Sequence, residues 1–97
     1  MTFTDALNVL RVDAGTNDDL IYSLIAAIPS YIETTTGLKA EDQAQEPMVE
    51  TVSGLILTQW YYADHADDQA LTRTINALLK CITIRARDYE QVQEQGL

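Results

Sequence analysis

Asp18-Asp19-Leu20-Ile21-Tyr22-Ser23-Leu24-Ile25-Ala26-Ala27-Ile28-Pro29-Ser30-Tyr31-Ile32 is the stretch that decides the fold. Leu20, Ile21, Leu24, Ile25, Ile28, Tyr31 and Ile32 recur at steps of three and four, which puts them in one apolar stripe on a 3.6-residue period. Two aspartates at its head suit the positive end of a helix. Thr16 or Asn17, just before them, supplies a cap. Pro29 removes one backbone hydrogen bond inside the stripe and predicts a kink. Thr34-Thr35-Thr36 weakens helix propensity, and Gly37 is a fitting residue for the left-handed turn that ends a helix.

Working outward, the same period recurs on either side. Towards the N-terminus, Thr4 is a candidate cap for a short first helix that carries Asp5, Leu7 and Leu10. Arg11 to Asn17 then reads as a loop turning at Gly15. Towards the C-terminus, Leu38 to Glu46 reads as an acidic loop holding Glu41, Asp42 and Glu46. Pro47 opens a third helix at its first position, with Met48, Val49, Val52, Leu55, Ile56 and Trp60 as its buried stripe. Asp64 to Asp68 breaks the pattern and caps a fourth helix carrying Leu71, Ile75, Leu78 and Leu79. The expected fold is all-α: a bundle of about four helices around two long central antiparallel ones, the second and third. The expected core is Leu20, Leu24, Ile25, Ile28, Ile32, Val52, Leu55, Ile56, Trp60 and Leu78, with Trp60 largely buried between the central pair.

After Lys80 the character changes. Cys81-Ile82-Thr83-Ile84-Arg85 is β-branched and alternating, which suits a short strand or an extended arm. Leu78 and Ile82 are also one helical turn apart, so the helix has grounds to continue. The division adopted is a helical domain over 1–80 and a C-terminal arm over 81–97 that orders on assembly. Ile82, Ile84, Arg85, Arg87 and Tyr89, with Arg11 and Arg73, are then the candidates for an interface with another subunit.

The 97 residues suffice for one domain. Fifteen Asp and Glu against six Lys and Arg give a net charge of −9. That balance disfavours a grip on nucleic-acid phosphates or on anionic membranes. No apolar run approaches a membrane span, and the N-terminal residues do not read as a signal peptide. Cys81 is the single cysteine, so no intrachain disulfide forms. The sequence offers no phosphate loop, no metal-ligand spacing and no nucleophile motif. The single histidine, His65, sits among Asp64, Asp67 and Asp68. A metal site and a solvated capping loop are the two readings there, and the loop needs fewer assumptions. Trp60-Tyr61-Tyr62 has an aromatic run suited to stacking bases but lacks interleaved Lys or Arg. The alternative is Trp60 in the core with a tyrosine at a rim. The expectation is a non-enzymatic protein without cofactors.

Several of these features in order resemble the head–tail connector family of long-tailed bacteriophages. The resemblance rests on Leu10-Arg11-Val12-Asp13 before the acidic opening Asp18-Asp19-Leu20-Ile21, on Tyr31-Ile32-Glu33 with the stop Thr36-Gly37, on Pro47 leading to Trp60-Tyr61, and on Leu78-Leu79. This chain departs from the family at Ala63-Asp64-His65, where an Arg is common, and at Thr72 to Ala77, where a Pro–Gly segment is common. The resemblance implies a ring, usually of twelve subunits, beneath the portal at the virion neck, assembled in the host cytoplasm. It implies a portal protein and a tail or neck completion protein as partners, with genomic DNA passing through without specific binding and no membrane. The acidic residues Asp18, Asp19, Glu41, Asp42 and Glu46 are then candidates for the channel lining. The competing expectation is a small acidic helical regulator or inhibitor that binds a protein partner.

Overall fold

The computed structural model describes residues 1–62 and 67–95, with side chains as far as Tyr89. Among these residues the protein is all-helical, in the order α1 (Phe3–Leu10), α2 (Asp18–Thr36), α3 (Ala40–Gln43), α4 (Pro47–Tyr61) and α5 (Gln69–Gln95). No described helix is long and apolar enough to cross a membrane.

Helix ends follow from local chemistry. Thr2, not Thr4, caps α1: its hydroxyl accepts from the Asp5 N–H, and the Asp5 carboxylate accepts from the Thr2 N–H, each at 3.1 Å. This reciprocal box satisfies two backbone donors that the helix leaves over. Thr4 lies inside the helix because the box needs its acid three residues after the cap. At the other end, Arg11 takes the left-handed conformation with φ 57°. There Val12 N–H donates to Leu7 C=O at 3.1 Å, closing the helix end. Gly15 provides the turn with φ 93°, and its N–H donates to Asp18 Oδ1 at 2.8 Å.

Gly37, at φ 84°, ends α2 by donating to Glu33 C=O at 2.8 Å. The buried Thr36 hydroxyl donates to Ile32 C=O and accepts from Leu38 N–H, steering the chain back across the helix. The segment expected to be a solvated acidic loop is instead folded in. It forms the short α3, and Leu38, Gln43 and Glu46 are buried. Gln43 Nε2 donates to Pro29 C=O at 2.9 Å and to Leu38 C=O at 3.1 Å, which pins α3 onto α2 beside the proline. Pro47 stands at the first turn of α4, where its missing N–H costs nothing.

The centre is a mutual packing of three helices, α2, α4 and α5, with α1 lying against α2 and α4. A central pair was expected, and the third member corrects that picture. The helix α5 runs unbroken across Lys80 and Cys81. Ile75, Leu79, Ile82 and Ala86 are buried, and Tyr89 packs partly against the same core. Their spacing of four, three, four and three residues is one helical face. The proposed boundary at residue 80 therefore has no counterpart here, and the strand-like alternation of Ile82 and Ile84 separates a core residue from an exposed one.

Two further core expectations reverse. Leu20 is 48% exposed and Trp60 36% exposed. On α2 the buried face is Ile21, Ile28 and Ile32, with Leu24 and Ile25 partly covered beside it. Leu20 lies one residue off that face, where no described helix covers it. On α4, Val49, Val52, Ser53, Ile56 and Leu57 face inward, and Leu55 is half-buried, as is Leu78 on α5. Trp60 falls beyond this face and sets its ring edge-on against Tyr31, centroids 5.2 Å apart. Ile28, Ile32, Val52 and Ile56 lie in the core as expected.

The packing implies that Ile82→Ala costs about 2–4 kcal/mol. Trp60→Ala costs about 2 kcal/mol, less than the about 3–5 kcal/mol of a fully buried tryptophan, because 36% of the residue already meets solvent. A loss of about 4 kcal/mol or more in urea denaturation would return Trp60 to the core. The Thr2 box also holds the Asp5 carboxyl below its ordinary 3.8, through the hydrogen bonds from the Thr2 backbone and then its side chain. The stability this adds is present above the unfolded carboxylate range and is lost as pH falls through the lowered folded value. An NMR titration should find Asp5 below 3.8 in the parent and closer to it in Thr2→Ala.

Candidate functional site

The end of α4 meets the turn between α1 and α2 through two tyrosine hydroxyls. Tyr62 O–H donates to Leu10 C=O at 2.7 Å, and Asn17 Nδ2 donates to the Tyr61 hydroxyl at 2.8 Å. The rings of Tyr61 and Tyr62 meet edge to face at 4.9 Å. Both are partly covered by the core. The expected roles in Trp60-Tyr61-Tyr62 are thus exchanged: the tyrosines brace the fold and the tryptophan lies at the rim, edge-on to Tyr31. An indole needs only one donor satisfied, whereas the phenol oxygen both donates and accepts, so the tyrosines suit a turn with open backbone carbonyls.

The interface candidates divide. Arg11, Arg73, Ile84 and Arg87 are exposed. Arg73 Nε donates to Gln69 C=O within its own helix at 3.3 Å. Ile82 is fully buried and leaves the interface set, while Tyr89 is half-buried against the core. Arg85 is exposed but pairs within the chain, its Nε 3.6 Å from Glu46 Oε1. The exposed apolar side chains of Leu20, Tyr22, Tyr31 and Trp60 join the set in place of Ile82. Leu20, Leu24, Ala27 and Tyr31 lie within one narrow strip of α2, since they follow one another by four, three and four residues. Phe3 stacks flat on Tyr22 at 4.4 Å.

The acidic candidates divide as well. Asp19 and Glu41 are exposed, Asp42 is half-buried, and Asp18 uses Oδ1 to hold the Gly15 turn. Glu46 is 4% exposed and caps α4, so it cannot line a water-filled channel. Its burial was not legible because sequence distance gives no sign that Arg85, 39 positions on, returns to it.

Among the described residues no group of three or more His, Cys, Asp and Glu side chains is placed to hold a metal ion. His65 and Asp64 lie outside the described residues. Cys81 is exposed on α5. No protein-family model, curated protein or solved structure matches this chain.

Losing the Tyr62 hydroxyl leaves the Leu10 carbonyl short of a donor, so Tyr62→Phe should cost about 1 kcal/mol in urea denaturation. Arg11→Gly should act the other way. Glycine enters the left-handed region without the roughly 1 kcal/mol that an L side chain pays in strain, so the melting midpoint should rise.

Proposed function

We propose that this chain is a structural subunit of a head–tail connector, assembling as a ring between portal and tail and passing genomic DNA through its centre. One observation carries the reading. The two segments richest in the resemblance, Leu10-Arg11-Val12-Asp13 and Trp60-Tyr61, are joined in the fold through Tyr62 and Leu10. They are far apart in sequence, and their meeting gives the motif order a structural sense: one turn and one helix end form a single braced corner. Beside it, Arg11 and Trp60 remain exposed for a neighbour.

The surface supports assembly on physical grounds. A chain of this size with Leu20, Tyr22, Tyr31, Trp60 and Ile84 all more than a third exposed has apolar area to cover. Each copy brings a net charge of −9, so copies repel one another at low ionic strength. Apolar contact and pairing of Arg11, Arg73 or Arg87 with a neighbour's carboxylates must offset that repulsion. Asp19 and Glu41 are the acids best placed for a lining, because both are exposed. An acidic lining repels phosphates and lets a duplex slide, whereas a basic one would hold it.

Assembly is expected to strengthen with salt, because the screening length falls from about 30 Å at 0.01 M to about 8 Å at 0.15 M. Native mass measurement and negative-stain imaging, with the chain alone and mixed with portal-bearing heads, read this directly. Rings alone or on the portal are the expected result, and Trp60→Asp with Tyr31→Asp should abolish them. A strict monomer that ignores the portal under both salts would discard the connector in favour of the acidic regulator. The assembled ring should also leave duplex DNA unshifted in a low-salt gel at micromolar concentration.

A further inference from the structure

The face where α2, α3 and the start of α4 meet encloses a hollow of about 310 Å³ that the assembly reading leaves unused. Its size lies at the lower end of the roughly 300–1,000 Å³ typical of ligand pockets. Ile25 and Pro29 of α2 form part of its wall, and Gln43, Glu46, Glu50 and Ser53 bring polar groups to it.

These groups share one chemical bias. Glu46 has a side chain only 2% exposed, yet its Oε1 has just two long contacts, Met48 N–H at 3.5 Å and Arg85 Nε at 3.6 Å. No hydrogen bond among the described residues reaches its Oε2. Gln43 spends its amide hydrogens on Pro29 and Leu38, which leaves Oε1 as an acceptor. Pro29 has no N–H to return to Ile25 C=O, four residues earlier. Glu50 adds a second carboxylate at the exposed edge.

Ser53 is the independent sign. It is 7% exposed, and its hydroxyl makes no hydrogen bond among the described residues. No sealed side-chain polar atom in the described residues lacks a partner. The Ser53 hydroxyl is therefore open through the hollow that it lines. An open hydroxyl without a protein partner is met by water or by a ligand that brings a donor. No lysine or arginine lines the hollow.

We propose that this hollow binds an alkylguanidinium or alkylammonium group, the head of an arginine or lysine side chain presented by a partner. Such a head carries three to five donors and no acceptor, which matches a lining that includes the carboxylates Glu46 and Glu50, the amide Gln43 and the hydroxyl Ser53. The alkyl stem lies against Ile25 and Pro29. The inference does not depend on the connector reading, since it rests on the hollow alone.

The probe is n-butylguanidinium, titrated into the full chain and followed by amide NMR, with neutral n-butylurea as the control. Saturable shifts at Gln43, Glu50 and Ser53 are expected, with a Kd on the order of 1 mM. Butylurea should bind at least about tenfold more weakly, a difference of about 1.4 kcal/mol. Glu50→Gln and Ser53→Ala should each weaken binding several-fold. Glu50 is at the surface, so its variant stays folded even if Ser53→Ala loosens the helix. Equal shifts from the two probes, or none from butylguanidinium, would overturn the proposal. Once binding is shown, Glu50→Gln is also read by sedimentation. Weaker self-association traces the natural basic group to a second copy, and unchanged self-association traces it to another protein.

Discussion

Two helices of this length cannot cover each other's apolar faces, and that constraint organises the structure. The helix α2 turns Ile21, Ile28 and Ile32 inward, and α4 turns Val49, Val52, Ile56 and Leu57 inward. A third face must close the space between them, and Ile75, Leu79, Ile82 and Ala86 of α5 provide it. Without that third face the core of the described residues would lose its cover on one side. A chain this short buries a smaller share of its surface on folding than a larger domain does, so the core has no spare layer. Ile82, which has no exposed surface, sits at the middle of this dependence.

Much of this was legible in the sequence, and the failures share a cause. The α2 stripe, the Gly37 stop and the Pro47 start follow from strong local signals, namely period, left-handed glycine and N-terminal proline. The strand-like reading of residues 81–85 came from weighing five residues, three of them β-branched, against a helical pattern that spans fifteen, Ile75 to Tyr89. Ile75, Leu79, Ile82, Ala86 and Tyr89 form a longer and more regular series than Ile82 and Ile84. Intrinsic preference against β-branched residues in helices amounts to only tenths of a kcal/mol each, so burial of one face outweighs it. Trp60 was misplaced for the opposite reason. A large aromatic at the end of a stripe has the right spacing but runs out of neighbouring helix.

Of the candidate surfaces, the sequence exposed the charges and concealed the geometry. Arg11, Asp19 and Glu41 are where composition and loop position suggested, at the surface. Glu46 looked like its acidic neighbours and is instead folded beneath Arg85. Gln43 and Ser53 gave no signal at all, because an amide and a hydroxyl in polar company mark nothing until the chain has bent around them. Pro29 does not raise them either: the carbonyl it leaves open is that of Ile25, whereas Gln43 donates to the carbonyls of Pro29 and Leu38.

The tyrosine brace has a consequence for how the chain comes into being. Leu10 and Tyr62 are separated by 52 positions, and Asn17 and Tyr61 by 44. Closing spans of that length costs conformational entropy that one hydrogen bond cannot offset alone. On a ribosome adding about 5–20 residues per second, the first turn emerges roughly 3–10 s before the hydroxyl that fastens it. Through that interval α1 has its Thr2 box and its packing against α2, but not yet α4, and its own eight residues are well below what an isolated helix needs. The turn after α1 is thus made well ahead of the contact that fixes it, waiting on a side chain synthesised 52 positions later.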